Sequence, residues 1–233
     1  MQYGYFDDAR REYVIQTPKT PLPWINYLGS EEFFGLVSNN GGGYAFCRDV
    51  RLLRLLRYRY NAVPADCGGR FYYIKESGEP AWSPCYLPCG TELDDYECRH
   101  GLGYTVFRGE HLSLSAELLM LVPLGENCEL HRLRLTNRSA ETKRIQVYGC
   151  MEWCLYNAVD DAQNYQRNLN IAECEVEPSV LYHVTEYRER RNHYAYYGVN
   201  LPAAGYDTDR NSFLGAMGSW QDPRAVREET SFQ

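Results

Sequence analysis

Short segments rich in aromatic and β-branched residues recur along the chain, and Gly, Pro, Asn and Asp separate them. In Cys128–Asn137 two sets of side chains alternate with the period of two that a half-exposed strand shows. Phe33–Ser38 and Tyr44–Asp49 flank an Asn-Asn-Gly-Gly-Gly turn, which predicts a β-hairpin. This spacing indicates an all-β sandwich or barrel. Further strands are predicted at Phe71–Lys75, Gly103–Arg108, Leu112–Val122, Arg144–Glu152 and His193–Val199.

Two segments depart from the strand pattern. Arg48, Arg51, Arg54 and Arg57 lie three residues apart with leucines between them, which suits a short amphipathic helix with a basic stripe. Arg57, Arg59 and the flanking tyrosines instead alternate as in a strand. Such a stripe would bind phosphate or an acidic partner. Alternatively, these arginines pair with the chain's own carboxylates or pack over aromatic rings, the interpretation that we favour. Asn157–Asn168 is a polar stretch of the length that functional loops often have.

Composition excludes several classes of protein. The formal net charge of -7 opposes binding to nucleic acid or to anionic lipid. No run of about 18 apolar residues is present to cross a membrane, and Met1–Arg11 lacks the apolar core of a signal peptide. We therefore expect one large cytoplasmic domain. Its nine scattered cysteines are expected to be reduced, and the four-residue spacings Cys85–Cys89 and Cys150–Cys154 favour buried thiols over a zinc site.

Candidate catalytic residues are few. His100 and His193 could act as general bases, but no nucleophile elbow or metal-ligand spacing accompanies them, so structural roles are favoured. Adjacent carboxylates such as Asp7–Asp8 and Asp160–Asp161 point to opposite faces of an extended chain. They do not form the facing pair that a glycosidase needs. No catalytic or metal-binding residue is assigned on this basis.

Five runs of sequence cover most of the chain from Tyr3 to about Leu214. They are YGYFDDARREYVIQTPKTPLPWINYLGSEEFFGL, GGYAFCRDVRLLRLLRYRYNAVPADCGGRFYYI, ELDDYECRHGLGYT, EWCLYNAVDDAQNYQRNL and YHVTEYRERRNHYAYYGVN. In order and spacing these runs resemble the N-terminal region of cellobiose phosphorylases.

The resemblance implies a fold and a domain organisation. Residues 1–220 would form a large antiparallel β-sandwich, a supersandwich of the galactose-mutarotase type, with few short helices. Residues 221–233 would be a truncated end or a linker. The catalytic (α/α)6 barrel of full-length members would be absent from this chain, so whether the chain alone is an enzyme stays open.

The resemblance also implies a reaction and partners. Such enzymes convert cellobiose and inorganic phosphate into α-glucose 1-phosphate and glucose with inversion. One Asp of the barrel protonates the leaving oxygen while phosphate attacks. No metal or organic cofactor is implied, and inorganic phosphate is a co-substrate. The expected partners are the disaccharide, a second copy in a homodimer, and the helical barrel.

One loop carries the implied site residues. In the family, the loop that matches Asp160–Asn168 reaches across the dimer and closes the partner's active site around the acceptor glucose. This assigns substrate binding to Gln166, Arg167 and Tyr165. Arg offers a planar fork for sugar hydroxyls, Gln an amide donor and acceptor, and Tyr an apolar ring face. An ordinary solvated loop is the alternative.

Two other functions are compatible with the sequence. A free-standing carbohydrate-binding or dimerisation module would show sugar affinity without turnover. A phosphorylase of laminaribiose, chitobiose or cellodextrin would share the same sandwich, because the sugar pockets would lie mostly in the barrel.

Overall fold

The structure is a computed structural model and describes residues 2–58, 68–164, 172–185 and 194–232. Within these residues it contains sixteen strands and three short helices. The strands are β1 (Gly4–Asp7), β2 (Glu12–Ile15), β3 (Ile25–Gly29), β4 (Phe33–Ser38), β5 (Gly43–Cys47), β6 (Arg54–Leu56), β7 (Arg70–Glu76), β8 (Asp95–His100), β9 (Tyr104–His111), β10 (Leu114–Leu121), β11 (Leu130–Asn137), β12 (Ile145–Met151), β13 (Trp153–Tyr156), β14 (Ala172–Glu177), β15 (Val180–Thr185) and β16 (Tyr194–Gly198). The helices are α1 (Ala158–Gln163), α2 (Arg210–Leu214) and α3 (Arg224–Arg227).

Six antiparallel strands form the first sheet in the order β1-β2-β8-β9-β10-β11. The hairpin between β9 and β10 turns at Leu112 and Ser113, whose φ angles are both positive, at 49° and 63°. Positive φ at both turn residues matches the twist of the flanking strands. Every second side chain of β10 from Leu114 to Met120 is buried, so one face of this sheet supplies the core.

The second sheet has five strands in the order β13-β6-β5-β4-β3. Its β4–β5 hairpin is the one that the Asn-Asn-Gly-Gly-Gly turn predicts. Gly43 has a φ of 136°, and a Cβ at this position would overlap the carbonyl oxygen of Leu36. Glycine is therefore required where β5 begins.

The two sheets face each other across the main core. Asn26 of β3 ties them together. Its Nδ2 donates to the carbonyl oxygen of Gly101, in the turn after β8, and to that of Tyr104, the first residue of β9, each at 2.9 Å. The buried side chains of this core come from both sheets and from the segments that connect them. They are Ile15, Leu28, Phe33, Val37, Ala45, Leu56, Tyr72, Cys85, Tyr96, Cys98, Phe107, Leu118, Met120 and Val122.

Strands β7 and β12 form a two-stranded sheet, and β14, β15 and β16 form a three-stranded one. Residues near the C-terminus cover one face of β7. The rings of Phe71 and Trp220 lie 4.8 Å apart between centroids, and Val226 of α3 is buried in the same cluster as Phe71 and Tyr73. Tyr73 Oη donates to the carbonyl oxygen of Trp220 at 2.7 Å.

The all-β antiparallel architecture confirms the predicted fold class, and each of the eight predicted strands has a counterpart. The amphipathic helix suggested by the spacing of Arg48 to Arg57 is wrong. Asp49 Oδ1 accepts hydrogen bonds from the backbone N of Arg51 at 2.8 Å and of Leu52 at 2.6 Å, which fixes a turn. The chain then enters β6, which pairs with β5 and β13. Pairing with neighbouring strands overrides the helical spacing.

Two polar segments contain structure that the sequence did not predict. The stretch Asn157–Asn168 begins with α1, and its residues from 165 onward lie outside the described residues. The predicted tail 221–233 contains α3, in which Ala225 and Val226 are buried. The boundary at residue 220 stays a prediction.

Candidate functional site

The residues assigned by resemblance to sugar binding, Tyr165, Gln166 and Arg167, lie outside the described residues. The structure does describe the segment that leads to them. Helix α1 ends at Gln163, two residues before Tyr165. The described part of the candidate site is its base, which consists of α1 and the side chains that hold it.

Helix α1 is six residues long, and helices this short are unstable on their own. Asn157 caps its start, with Oδ1 accepting hydrogen bonds from the backbone N of Val159 at 3.2 Å and of Asp160 at 3.0 Å. At the other end, Asn164 Nδ2 donates to Asp160 Oδ1 at 3.0 Å. Hydrogen bonds from side chains within the same segment thus stabilise both ends of the helix, through Asn157 at its start and Asn164 at its end.

A buried ion pair attaches α1 to the five-stranded sheet. Arg57, immediately after β6, donates to both carboxylate oxygens of Asp161, with Nε at 3.0 and 3.1 Å and Nη2 at 2.7 Å. Arg57 Nη1 also donates to Glu152 Oε1 at 3.0 Å. The side chains of Arg57 and Asp161 are only 14% and 4% exposed. This bidentate geometry holds α1 in one orientation.

Electrostatics favour the charged form of this arginine. Burial alone would disfavour the Arg57 cation, but its hydrogen bonds and proximity to Asp161 and Glu152 outweigh that penalty and raise its pKa. Glu152 is shared with a second arginine, because Arg210 Nε of α2 lies 3.6 Å from Glu152 Oε1. The base of the candidate site is thus a compensated cluster rather than a free basic patch.

Two other arginines of the predicted stripe, Arg48 and Arg54, also have separate partners. Arg48 pairs with Glu32 at 2.7 Å on the surface. The guanidinium of Arg54 lies 4.1 Å from the ring centroid of Tyr44. The interpretation that these arginines pair with carboxylates or pack on aromatic rings is confirmed for Arg48, Arg54 and Arg57.

His100 has a structural role. Its Nε2 lies 3.0 Å from the carbonyl oxygen of Trp24, and its Nδ1 lies 3.0 Å from Thr105 Oγ1. This pattern suits a neutral imidazole that donates through Nε2 and accepts at Nδ1. Burial lowers the pKa of His100 in agreement with that state. His193, the other candidate, lies outside the described residues.

The cysteines and carboxylates offer no metal site in the part of the chain that the structure describes, where no three His, Cys, Asp or Glu side chains are grouped to hold an ion. Burial raises the pKa of the Cys89 thiol to about 12 and also raises that of Cys150. Both thiols therefore stay protonated and unreactive. Asp161, the buried member of the Asp160–Asp161 pair, is engaged by Arg57.

The sequence did not predict a second buried polar cluster. Tyr72 Oη lies 2.5 Å from His131 Nδ1, and His131 Nε2 lies 3.2 Å from Glu129 Oε2. Arg70 Nη1 faces Glu129 Oε1 at 3.5 Å, and Arg70 Nη2 donates to the carbonyl oxygen of Leu36. Burial opposes ionisation of Glu129, but Arg70 and His131 prevail and lower its pKa. These residues come from separate parts of the chain, so no local sequence pattern predicts that they lie together.

Two facing antiparallel sheets with a three-stranded extension define a large β-sandwich protein. Residues 11–233 match the family described as Glycosyl hydrolase 94, supersandwich domain, and the chain belongs to this family.

Curated relatives are similar along nearly the whole chain. The N,N'-diacetylchitobiose phosphorylase of Vibrio furnissii is 35% identical over 231 residues, which are 97% of this chain and 29% of the relative. The 3-O-beta-D-glucopyranosyl-beta-D-glucuronide phosphorylase of Paenibacillus borealis is 28% identical over 232 residues, 97% of this chain and 28% of the relative. The cyclic beta-(1,2)-glucan synthase NdvB of Rhizobium meliloti (strain 1021) is 28% identical over 229 residues, 96% of this chain and 8% of the relative.

The chain thus spans less than a third of the length of each of these relatives. The helices within the described residues are all too short to cross a membrane.

Proposed function

We propose that this chain is the supersandwich domain of a longer disaccharide phosphorylase. The observation that carries the proposal is the 35% identity to an N,N'-diacetylchitobiose phosphorylase across 97% of the chain. The family match over residues 11–233 supports the assignment as a supersandwich domain.

The proposed reaction transfers a glycosyl group from a disaccharide to inorganic phosphate. A phosphate oxygen attacks the anomeric carbon as the glycosidic C–O bond breaks, and the leaving oxygen takes up a proton from a general acid. The products are a sugar 1-phosphate, with inverted configuration, and the free acceptor sugar. No residue of this chain is proposed as the general acid.

The contribution proposed for this chain is acceptor binding. Gln166, Arg167 and Tyr165 would contact the acceptor sugar in the active site of a second copy within a homodimer. The Arg57–Asp161 ion pair supports this role physically, because it fixes the helix that immediately precedes these residues. A fixed base lowers the entropy that the loop loses when it closes on a sugar.

Two disaccharides are the main candidates for the substrate. The family resemblance of the sequence suggests cellobiose, and the names of the Vibrio relatives suggest N,N'-diacetylchitobiose. The proposed substrate class is therefore a disaccharide of glucose or of N-acetylglucosamine, with N,N'-diacetylchitobiose to be tested first.

The test measures phosphate-dependent release of sugar 1-phosphate from N,N'-diacetylchitobiose, cellobiose and laminaribiose. It compares the 233-residue chain with the longer protein encoded by the reading frame that contains it. We expect turnover only in the longer protein. Sugar binding without turnover in both proteins would contradict the proposal and favour a carbohydrate-binding module.

The role of the loop is tested in the reverse reaction. In the longer protein Arg167→Ala should raise KM for the acceptor sugar at least about tenfold, because a charged hydrogen-bonding fork is lost. The exposed Arg134 of β11 provides the matched control, and Arg134→Ala should leave KM unchanged. Equal KM values for the two variants would contradict the assigned role of Arg167.

A further inference from the structure

An open cleft of ≈ 780 Å³ lies at one edge of the sandwich. It forms where β1 and β2 of the six-stranded sheet approach the start of β3 in the five-stranded sheet, next to the turn between β8 and β9. Neither Arg57 nor α1 lines it, and the proposed loop function leaves it without a role. Its volume is in the range of small-molecule sites.

Aromatic side chains form one wall of the cleft. The rings of Phe6 and Tyr13 meet edge to face with centroids 4.8 Å apart, and Tyr13 lies 5.7 Å from Trp24. Phe6 is 76% exposed, so the end of this aromatic row faces solvent. Leu102, on the rim, is also largely exposed. Clustered exposed apolar side chains of this kind mark interaction sites.

An amide beside this wall is held in a fixed orientation. Asn26 Nδ2 donates to Gly101 O, Tyr104 O and Thr105 Oγ1, at 2.9, 2.9 and 3.1 Å, which settles the orientation of the amide. Among the described residues no group donates a hydrogen bond to Asn26 Oδ1. This oxygen is therefore an oriented acceptor that a ligand can use.

Two charged side chains at the cleft are also available. The structure gives no hydrogen bond or ion pair, among the residues it describes, to the side chains of Asp8 and Arg11. Both line the cleft. Together with Asn26 Oδ1 they offer acceptors and donors next to a flat apolar wall, the combination that recognises sugar rings with hydroxyl groups.

The charge of the cleft selects among ligands. Three carboxylates, of Asp7, Asp8 and Glu12, line it together with the guanidinium of Arg11. Arg99 Nη1 adds a second cation, at 3.2 Å from Asp7 and 2.7 Å from Glu12. Three carboxylates against two guanidinium groups leave a small excess of negative charge, which opposes phosphate and nucleic acid. A neutral ligand is therefore favoured over an anionic one.

We propose that this cleft binds a neutral pyranoside, with a ring face on Phe6 and hydroxyl groups on Asp8, Arg11 and Asn26. The sugar class, glucose or N-acetylglucosamine, rests on the proposed function. The proposal that the cleft binds a neutral ligand rests on the row of aromatic rings, the oriented amide of Asn26 and the charge of the lining residues.

The test titrates the 233-residue chain with N,N'-diacetylchitobiose and with cellobiose, by saturation-transfer NMR and calorimetry. Phe6→Ala removes the exposed ring. Arg11→Gly removes the guanidinium at a φ of 56°, a conformation that glycine adopts readily, so the fold is kept. Leu124→Ala is the matched control, because Leu124 is 88% exposed and does not line the cleft.

We expect at least one of the two disaccharides to bind, with Kd raised about tenfold by Phe6→Ala, at least about threefold by Arg11→Gly and not at all by Leu124→Ala. The inference is overturned if neither sugar binds, if all three variants bind alike, or if inorganic phosphate displaces the sugar. Phosphorolysis by the longer protein is measured separately. If the longer protein shows no phosphorolysis but the chain binds sugar in the cleft, the proposed function is contradicted and the cleft proposal stands. If the longer protein shows phosphorolysis but the cleft binds no sugar, only the cleft proposal is overturned.

Discussion

Arg57 Nη2 lies 2.7 Å from Asp161 Oδ1, and this ion pair joins positions 104 residues apart in the chain. Asp161 is almost completely buried, and Arg57 satisfies both of its carboxylate oxygens. A buried carboxylate that loses its cation keeps its desolvation penalty without the compensating attraction. The stability of α1, and of the start of the candidate loop, therefore depends on Arg57.

Arg57→Ala should lower the free energy of unfolding by about 3 kcal/mol, because it removes the cation that both carboxylate oxygens of the buried Asp161 contact. Urea unfolding measures this change. Arg48→Ala is the matched control, since the Arg48–Glu32 pair is exposed and should contribute no more than about 1 kcal/mol. Equal losses in the two variants would show that Asp161 is not held as the structure indicates.

Gly149→Ala should destabilise the contact between β12 and β16. A methyl group at Gly149 would overlap Tyr197 Oη, and Tyr197 belongs to β16. Overpacking of this kind costs about 1–3 kcal/mol, which thermal unfolding would record as a lower Tm. Gly198→Ala is the control, because its new methyl group would meet neighbours at an ordinary 3.7 Å. A Tm for Gly149→Ala equal to that of Gly198→Ala would refute this packing.

The sequence predicted those parts of the fold that local patterns encode. The β4–β5 hairpin was predictable because its alternation and its glycine-rich turn lie within fifteen residues, Phe33 to Cys47. Strands β1 and β2 have only four residues each, too few for a period of two to stand out. The spacing of the arginines from Arg48 to Arg57 resembles that of a helix, and only the pairing of β6 with β5 and β13 shows that part of this segment is a strand.

The candidate site was less predictable. The resemblance pointed to Tyr165–Arg167, but the anchor of that loop is made by Arg57, Glu152 and Asp161, which are far apart in sequence. The cleft at Phe6 is assembled in the same way, from two sheet edges and a turn. Sites of this kind depend on the packing of the sheets, which no single segment encodes.

Acid should destabilise the protein through His183. Its ring stacks on Trp153 at 5.7 Å, and burial lowers its pKa from 6.5 to about 4. Because the folded state binds this proton less readily than the unfolded state, stability is full above about pH 6.5 and falls as the pH drops toward 4. The loss would reach about 3 kcal/mol at most. Urea unfolding at a series of pH values measures it.

The pH range in which stability is lost distinguishes the effect of His183 from that of the carboxylates. The pKa values of Glu12 and Glu129 are lowered from 4.5, so their stabilisation is lost only as the pH falls below that value. Between about pH 6.5 and 5 the change should come from buried histidines, to which His100 also contributes. His183→Phe keeps a ring on Trp153 and should reduce the slope in this window. An unchanged slope would contradict a neutral His183.

The last prediction concerns the C-terminal segment. Val226 of α3 packs in the cluster that contains Phe71 and Tyr73 of β7, and Trp220 covers the same strand. Removing residues 221–233 should expose this face of β7 and lower the free energy of unfolding, because buried apolar surface returns to water. Val226→Ala should cost about 1–2.5 kcal/mol by itself. Arg227→Ala, which removes only an exposed pair with Asp222, should cost less than about 1 kcal/mol. If the shortened chain unfolds at the same urea concentration as the parent, the segment acts as a linker and does not stabilise the sandwich.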